Sequence, residues 1–461
     1  MAKYEKYAEY KDSGVEWLED VPKEWDIIKI KHLSSVKRGA SPRPIDDPKY
    51  FDDNGEYAWV RIADVSASDT YLLNTPQTMS ELGSSLSVKL EPNELFLSIA
   101  GTVGKPCINK IKACIHDGFV YFPELKIPNK FLFYVFAGEQ AYKGLGKMGT
   151  QLNLNTDTVG DIKVALPKSI DDIQNIVDFL DHETAKIDTL IGKQEKLIEL
   201  LKEKRQAVIS HAVTKGLNPD VAMKDSGVEW LGQVPEHWVT LPLKLGVETR
   251  KGVAFKAVDF CDFGIRVVKA SDIKQKTIRE SDVFLPEKYL TEYPKAILKE
   301  GDLVLSTVGS TPDVKNSAVG QIGKVPKNLN NSLLNQNTVV FSAKKNLDQN
   351  FLFYVVQADS YRDHLDLHAH GTANQASLNI ENMLDFKISI PDLKEQKEIT
   401  SYLDKKMSEY EKLELQSLEI IYLMIERRTA LISSAVTGKI NVTNWQNPNH
   451  NNNEANTELG A

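Results

Sequence analysis

Only three cysteines, Cys107, Cys114 and Cys261, occur in 461 residues. So sparse and odd a set excludes a disulfide framework and points to a reducing, cytoplasmic setting. No apolar run approaches the ~18–20 residues of a membrane helix, so no membrane association is expected. The opening stretch MAKYEKYAEYKDSG is polar and charged, unlike a secretory signal. A basic excess is also missing: 56 Lys and Arg face 64 Asp and Glu, a net charge of −8. Taken alone, that counts against nucleic acid. Net charge governs only the far field, however, and a DNA groove needs Lys and Arg at the contact surface.

Catalytic motifs are missing as well. GTVGK at residues 101–105 lacks the spacing of a phosphate-binding loop, and Pro106 follows the lysine. It reads as a strand and a tight turn. There is no glycine-rich S-adenosylmethionine loop and no Asn/Asp-Pro-Pro-aromatic tetrad. His364, His368 and His370 have metal-like spacing, but with no cysteine near they read as a solvated helix end. Cys107 and Cys114 read as buried thiols. Glu183 with Lys186, and Glu395 with Lys397, fall on helical stretches as solvated charge. No catalytic residue and no metal ligand is assigned.

The chain does contain itself twice. KDSGVEWL at 11–18 recurs at 224–231, followed in both places by Val-Pro (21–22, 234–235) and Trp (Trp25, Trp238). At the same offset Lys37-Arg38-Gly39 faces Arg250-Lys251-Gly252. FLFYV (131–135) recurs at 351–355, Gly149-Thr150 as Gly371-Thr372, and Leu180-Asp181 as Leu403-Asp404. AVISHAVT (207–214) matches ALISSAVT (430–437) without gaps. The order is preserved, so this is tandem duplication of a unit of roughly 215 residues. Each unit opens with a Trp/Pro-rich segment. It continues through a mixed region with strand-like runs (95–100, 303–307, 338–342) and closes with a long helical stretch.

The stretches at 171–212 and about 394–435 begin after Pro167 and Pro391. Leu180, Ile187, Leu201 and Val208 lie in a seven-residue register, with Leu190 and Leu197 three beyond matching positions and Gln194 and Lys204 as interruptions. The second helix repeats this with Leu403, Tyr410, Met424 and Leu431, then Leu413 and Ile420, interrupted by Ser417 and Arg427. A helix of that length spans roughly 60 Å and would expose its apolar stripe unless it paired. Its duplicate is the expected partner. Packing of each helix on its own head is the alternative.

The expected class is therefore α+β: two tandem-duplicated globular heads separated by two long antiparallel coiled-coil helices, pseudo-twofold symmetric. The expected boundaries are 1–165, helix 166–215, 216–390, helix 391–440, and a disordered Asn-rich tail at 441–461. Two similar but non-identical heads on a rigid spacer suit duplex DNA, whose half-sites one turn apart lie about 34 Å from centre to centre. Candidate DNA contacts recur in both halves. They are Lys37 and Arg38 with Arg250 and Lys251, loops suited to phosphates, and Arg61 with Lys269, suited to phosphate or guanine. Thr102 and Lys105 lie in the GTVGK turn, and Ser310 in the second half. The GTQLNLN loop supplies Thr150, Gln151 and Asn153, and the GTANQASLN loop Thr372, Asn374 and Gln375. Gln and Asn suit the adenine edge. A protein-binding scaffold with paired heads and a coiled-coil brace is the other reading.

DSGVEWL…VP…W, LSIAGTVGK, the GT…Q…N loop and the proline-led helices at DIQNIVDFLD and EQKEITSYLD together resemble the specificity subunits of Type I restriction–modification systems. The resemblance runs through almost the whole chain in both halves. It implies two target-recognition domains, each reading half of a bipartite, asymmetric double-stranded DNA site. It further implies helices that separate them and dock two modification (methyltransferase) subunits, with restriction (helicase–nuclease) subunits completing the complex. S-adenosylmethionine, ATP and Mg2+ would sit on those partners, with no cofactor and no catalysis in this chain. Two features depart from the pattern: DDIQN (171–175) stands where the second helix has EQK (395–397), and the first GT loop is shorter.

Overall fold

The computed structural model describes residues 4–142, 154–274, 276–310, 319–372 and 375–448. The chain forms two compact units, residues 1–195 with 418–461, and residues 196–417. The division cuts both long helices, Ile170–Lys215 and Leu393–Val436. Each long helix is therefore shared between the units. Among the described residues no helix is long and apolar enough to cross a membrane.

In the first unit the DSG turn is built by local hydrogen bonds. The Gly14 amide donates to Asp12 Oδ1 at 2.8 Å and the Val15 amide to Ser13 Oγ at 3.1 Å, with Gly14 at φ +61°. This closes the antiparallel hairpin Tyr10–Asp12/Asp20–Pro22 and drives Leu18, Val21 and Trp25 into the core. Strand Asp26–Lys29 pairs with Lys163–Leu166, tying the start of the head to its end. Between them a five-stranded sheet runs in the order 37–38, 119–121, 95–98, 106–109, 71–72, its last pair parallel. A four-stranded sheet packs beside it, in the order 78–79, 57–60, 113–115, 88–90.

The second unit repeats this. The Gly227 amide donates to Asp225 Oδ1 at 2.9 Å, and Leu231, Val234 and Trp238 are buried. Val239–Pro242 pairs with Lys387–Ile390. The main sheet runs 247–251, 338–343, 303–306, 322–324, 276–278, 273–274, with the parallel pair at the corresponding place. One addition has no counterpart among the described residues of the first unit: a three-stranded sheet of 308–309, 375–377 and 370–372.

The FLFYV repeat is a short helix in each head, Asn129–Ala137 and Gln349–Val355, with its apolar residues buried except for a half-buried Phe353. The Tyr134 hydroxyl donates to Asp181 Oδ1 at 2.5 Å, and that of Tyr354 to Asp404 Oδ1 at 2.6 Å. The two repeated motifs are thus the two sides of one strut, head to long helix.

The long helices pair within each unit, and the pairing is antiparallel. In the first unit Arg428 meets Asp188 at 2.8 Å, while Asn175 donates to the Thr443 carbonyl. In the second, Lys202 lies 3.5 Å from Glu414, and Ile209 and Ala212 share a core with Met407 and Leu403. Between 184 and 205 the residues withdrawn from solvent are Thr184, Ile187, Ile191, Gln194, Ile198, Leu201 and Arg205, alternating three and four apart. On the other helix the same alternation runs Leu403, Met407, Tyr410, Glu414, Ser417, Ile421, Met424, Arg428.

The seven-residue register is therefore as expected, but its second seam position is corrected. Leu190, Leu197, Leu413 and Ile420 are exposed, and the seam takes Thr184, Ile191, Ile198 and Arg205 instead. Leucine's hydrophobicity drew the expectation one residue off, and seam-facing polar groups hid the true stripe. The tail also differs from expectation. Ile440 and Val442 are buried, the Asn441 amide donates to the Glu5 carbonyl, and Trp445 packs edge-on against Phe179. Residues 449–461 lie outside the described residues.

Candidate nucleic-acid interface

The two basic-basic-glycine segments hold the same place. Lys37–Arg38 pairs with strand Phe119–Tyr121, and Val247–Lys251 with Thr338–Ala343. The glycine after each is required by close backbone approach. A Cβ on Gly39 would collide with the His116 carbonyl, and one on Gly252 with the Asn335 carbonyl. Lys37 and Lys251 are exposed, and neither ammonium has an ion pair among the described residues. Arg38 Nε donates to the Asp117 carbonyl at 2.6 Å. Beside it Arg43 pairs with Asp117 at 2.8 Å, and burial holds the His116 imidazole below its usual pKa against the pull of Asp117. Arg250 is different: it is committed to the interior. It donates to the Ile297 carbonyl at 2.7 Å and pairs with Asp302 at 2.5 Å, bracing the turn at 295–302.

Arg61 and Lys269 are equivalent in structure as in sequence. Each stands just before a short helical turn, Ile62–Ala67 or Ala270–Asp272. Its backbone amide donates to the carboxylate three residues on, Asp64 at 2.9 Å or Asp272 at 2.8 Å. The aspartates therefore shape the turn, and the cationic side chains leave it. That of Arg61 is exposed and reaches Gln77 Oε1.

The GTVGK turn is a glycine bend, with Gly101 at φ +63° and Gly104 at φ +86°. The Gly104 amide returns to the Ser98 carbonyl at 2.8 Å, and the Tyr142 hydroxyl donates to the Gly104 carbonyl at 2.7 Å. Thr102 Oγ1 lies 2.6 Å from Ser66 Oγ, and Lys105 Nζ donates to the Ser66 carbonyl at 2.8 Å. Thr102 and Lys105 thus converge on the short helix that follows Arg61, through a Ser66 that sequence reasoning did not single out. The turn borders a cavity of about 840 Å3 whose far wall includes Asp188, Gly192 and Arg428.

In the second unit the bend is kept, with Gly320 at φ +79° and its amide on the Ser306 carbonyl at 3.0 Å. What accompanies it has no counterpart among the described residues of the first unit. Val308–Gly309 pairs with Gln375–Ser377, which pairs in turn with His370–Thr372. Ser310, the Thr372 backbone and an exposed Gln375 are so gathered on one small sheet. Thr150, Gln151, Asn153 and Asn374 lie outside the described residues. His364 Nε2 meets the Asn382 carbonyl and His368 Nδ1 the His364 carbonyl, so their rings are engaged locally. Among the described residues no group of three or more His, Cys, Asp or Glu is placed to hold a metal. Burial pushes the Cys107 and Cys114 thiols up to about 12.

Comparison with known proteins matches this geometry to one family. The model of the Type I restriction modification DNA specificity domain matches twice, at residues 22–200 and 235–419. The chain is 26% identical over 450 residues to the Type I restriction enzyme MjaVIII specificity subunit of Methanocaldococcus jannaschii, covering 92% of this chain and 95% of that one. It is 20% identical over 335 residues to the EcoBI specificity subunit of Escherichia coli, covering 71% and 68%. In fold it is similar to a chain solved for the assembly and conformational transition of a type I R-M system. The TM-score is 0.67 at 13% identity, covering 90% of this chain and 98% of that one. It is also similar to the HsdS subunit from Thermoanaerobacter tengcongensis, with TM-score 0.50 and 12% identity, covering 91% and 98%.

Proposed function

The chain belongs to the Type I restriction modification DNA specificity domain family, and from that premise we propose that it reads a bipartite, asymmetric DNA site, one half with each head. It is a specificity subunit, a non-catalytic component of a Type I restriction–modification system. The observation that carries the reading is a shared frame with unlike tips. Gly39 and Gly252, Arg61 and Lys269, Gly104 and Gly320 occupy the same places, while among the described residues the first head offers a tied turn and the second a three-stranded sheet. Two such heads place equivalent cations at phosphates and unlike side chains at base edges.

Lys37, Arg38, Lys251, Arg61 and Lys269 are the proposed cationic contacts, with Thr102, Lys105, Ser310 and Gln375 beside them. Thr150, Gln151, Asn153, Thr372 and Asn374 stay in the proposal on their sequence alone. Arg250 serves it by holding the second head's turn. The long helices act as the spacer and dock two methyltransferase subunits. In support, exposed apolar residues recur in pairs along them: Leu190 and Leu413 at 46% each, Leu197 at 41% with Ile420 at 38%, and Leu200 at 49% with Leu423 at 53%. A surface duplicated with the chain suits two copies of one partner. Restriction subunits complete the complex, and S-adenosylmethionine, ATP and Mg2+ belong on the partners.

Methylome sequencing of cells expressing this chain with its methyltransferase partner tests the reading. The expected result is a split adenine motif with an unread gap whose length changes when the helices are lengthened. Methylation without a split motif would refute it.

A further inference from the structure

The second unit holds a cavity of about 760 Å3 lined by Lys276, Lys299 and Lys324, with Thr277, Ser342 and Asn350 among its polar walls. Two carboxylates border it, Glu300 and Asp302. Asp302 is already committed to Arg250 and to the Lys299 amide, at 2.5 and 2.9 Å. Lys324 Nζ donates to the neutral Asn350 Oδ1 at 2.6 Å. The ammonium groups of Lys276 and Lys299 have no ion pair among the described residues. Arg205 of the first long helix brings a further charge within reach of Lys276, and its buried Nε has no hydrogen-bond partner among the described residues. Burial first and the Arg205 charge second hold Lys276 down to about 8, with Asp359 pulling the other way.

The first unit shows what compensation looks like at the same places. Lys276 opposes Gly323 across the parallel strand pair and its neighbour Thr277 opposes Lys324; the residue in the place of Thr277 is Tyr71, opposite Ile108. Its ring faces Lys110 and Lys130, and Lys130 pairs with Asp181 at 2.6 Å. Arg428, the counterpart of Arg205 in the helix repeat, pairs with Asp188. In the second unit the three lysines that line the cavity face one carboxylate without an ion pair among the described residues, Glu300, leaving two positive charges uncompensated, while Arg205 and Asp359 act on Lys276 from outside the lining with opposite signs. Partly buried cations without counter-charge are costly, and lysine binds phosphate oxygens as a point charge.

We infer that this cavity is a phosphate-binding site that seats one dianionic phosphate group on Lys276, with Lys299 and Lys324 closing over it. Its ligand is a compact, terminally phosphorylated molecule or inorganic phosphate. A phosphodiester, with one charge per group, compensates only half the surplus. The inference goes beyond the DNA-reading function and stands independently of it.

The test is titration of the full-length chain with inorganic phosphate and with pyrophosphate, followed by 31P NMR line width and thermal shift. Saturable binding is expected, weakened about tenfold or more in Lys276→Met, as loss of a charge-assisted contact implies, and unchanged in the exposed control Lys345→Met. Should Lys276→Met fail to fold, the double variant Lys299→Met/Lys324→Met is expected to weaken binding several-fold. Absence of saturable binding to the wild type, or equal binding in the variants, overturns the site. Displacement of pyrophosphate by a duplex of unrelated sequence, with a matching loss of duplex affinity in Lys276→Met, overturns the dianion assignment in favour of backbone phosphodiester.

Discussion

The two heads share their hidden parts and differ at their tips. Each closes its opening hairpin with an Asp-Ser-Gly turn, ties a tyrosine to an aspartate on a long helix, and needs a glycine where a strand end crosses a carbonyl. Among the described residues they diverge where the first ties Thr102 and Lys105 to Ser66 and the second raises residues 308–309, 370–372 and 375–377 into a sheet. Positions that must satisfy the backbone or fill a core tolerate little change. Exposed loops answer only to the ligand and are free to drift. The repeat most obvious in the sequence, DSGVEWL, is therefore frame, and the proposed reading chemistry falls where the halves disagree.

That division can be broken at several levels. The largest effect is expected from exchanging residues 26–160 for the corresponding region of another family member: methylome sequencing should show one half of the recognised motif replaced and the other intact. A change in both halves would end the idea of independent heads. Next, Gly39→Ala and Gly252→Ala each force a Cβ into a carbonyl and should cost ~1–3 kcal/mol, read as lowered urea midpoints. If only one of them destabilises, the frames are not equivalent. Tyr134→Phe and Tyr354→Phe each lose a hydroxyl-to-carboxylate bond worth about 1–2 kcal/mol. The second head should lose more, because Lys130 still holds Asp181 in the first. Smallest is the loss of one phosphate contact. Lys37→Ala and Lys251→Ala should each lower the slope of log affinity against log salt by about one, across all DNA sequences. A sequence-dependent loss would move these lysines from phosphates to bases.

Much of this was legible in the linear chain. Colinear repeats gave the duplication, proline boundaries and seven-residue spacing located both helices, and strand-like runs at 95–100, 303–307 and 338–342 fell on strands. The seam was misplaced by one position because Leu190 and Leu413 are apolar yet exposed, while Arg205, Glu414 and Arg428 are polar yet turned inward. Arg250 looked like a twin of the free Lys37, but its partner Asp302 lies 52 residues away. Trp445 and Val442 looked like the start of a loose tail because the Phe179 surface that receives Trp445 lies far back in the chain.

Turn chemistry, helical period and repetition act between near neighbours or between copies, so the order of residues alone determined the duplicated α+β plan, the two long helices and the glycine bends. Which cations stay free for a ligand and which are spent inside depends on pairs brought together from distant parts of the chain. Only the tertiary structure decided that Arg250 braces, that Lys37 and Lys251 remain available, and that Lys276 and Arg205 share a region short of negative charge. A charge's availability is set by its partner, and the partner is chosen by folding.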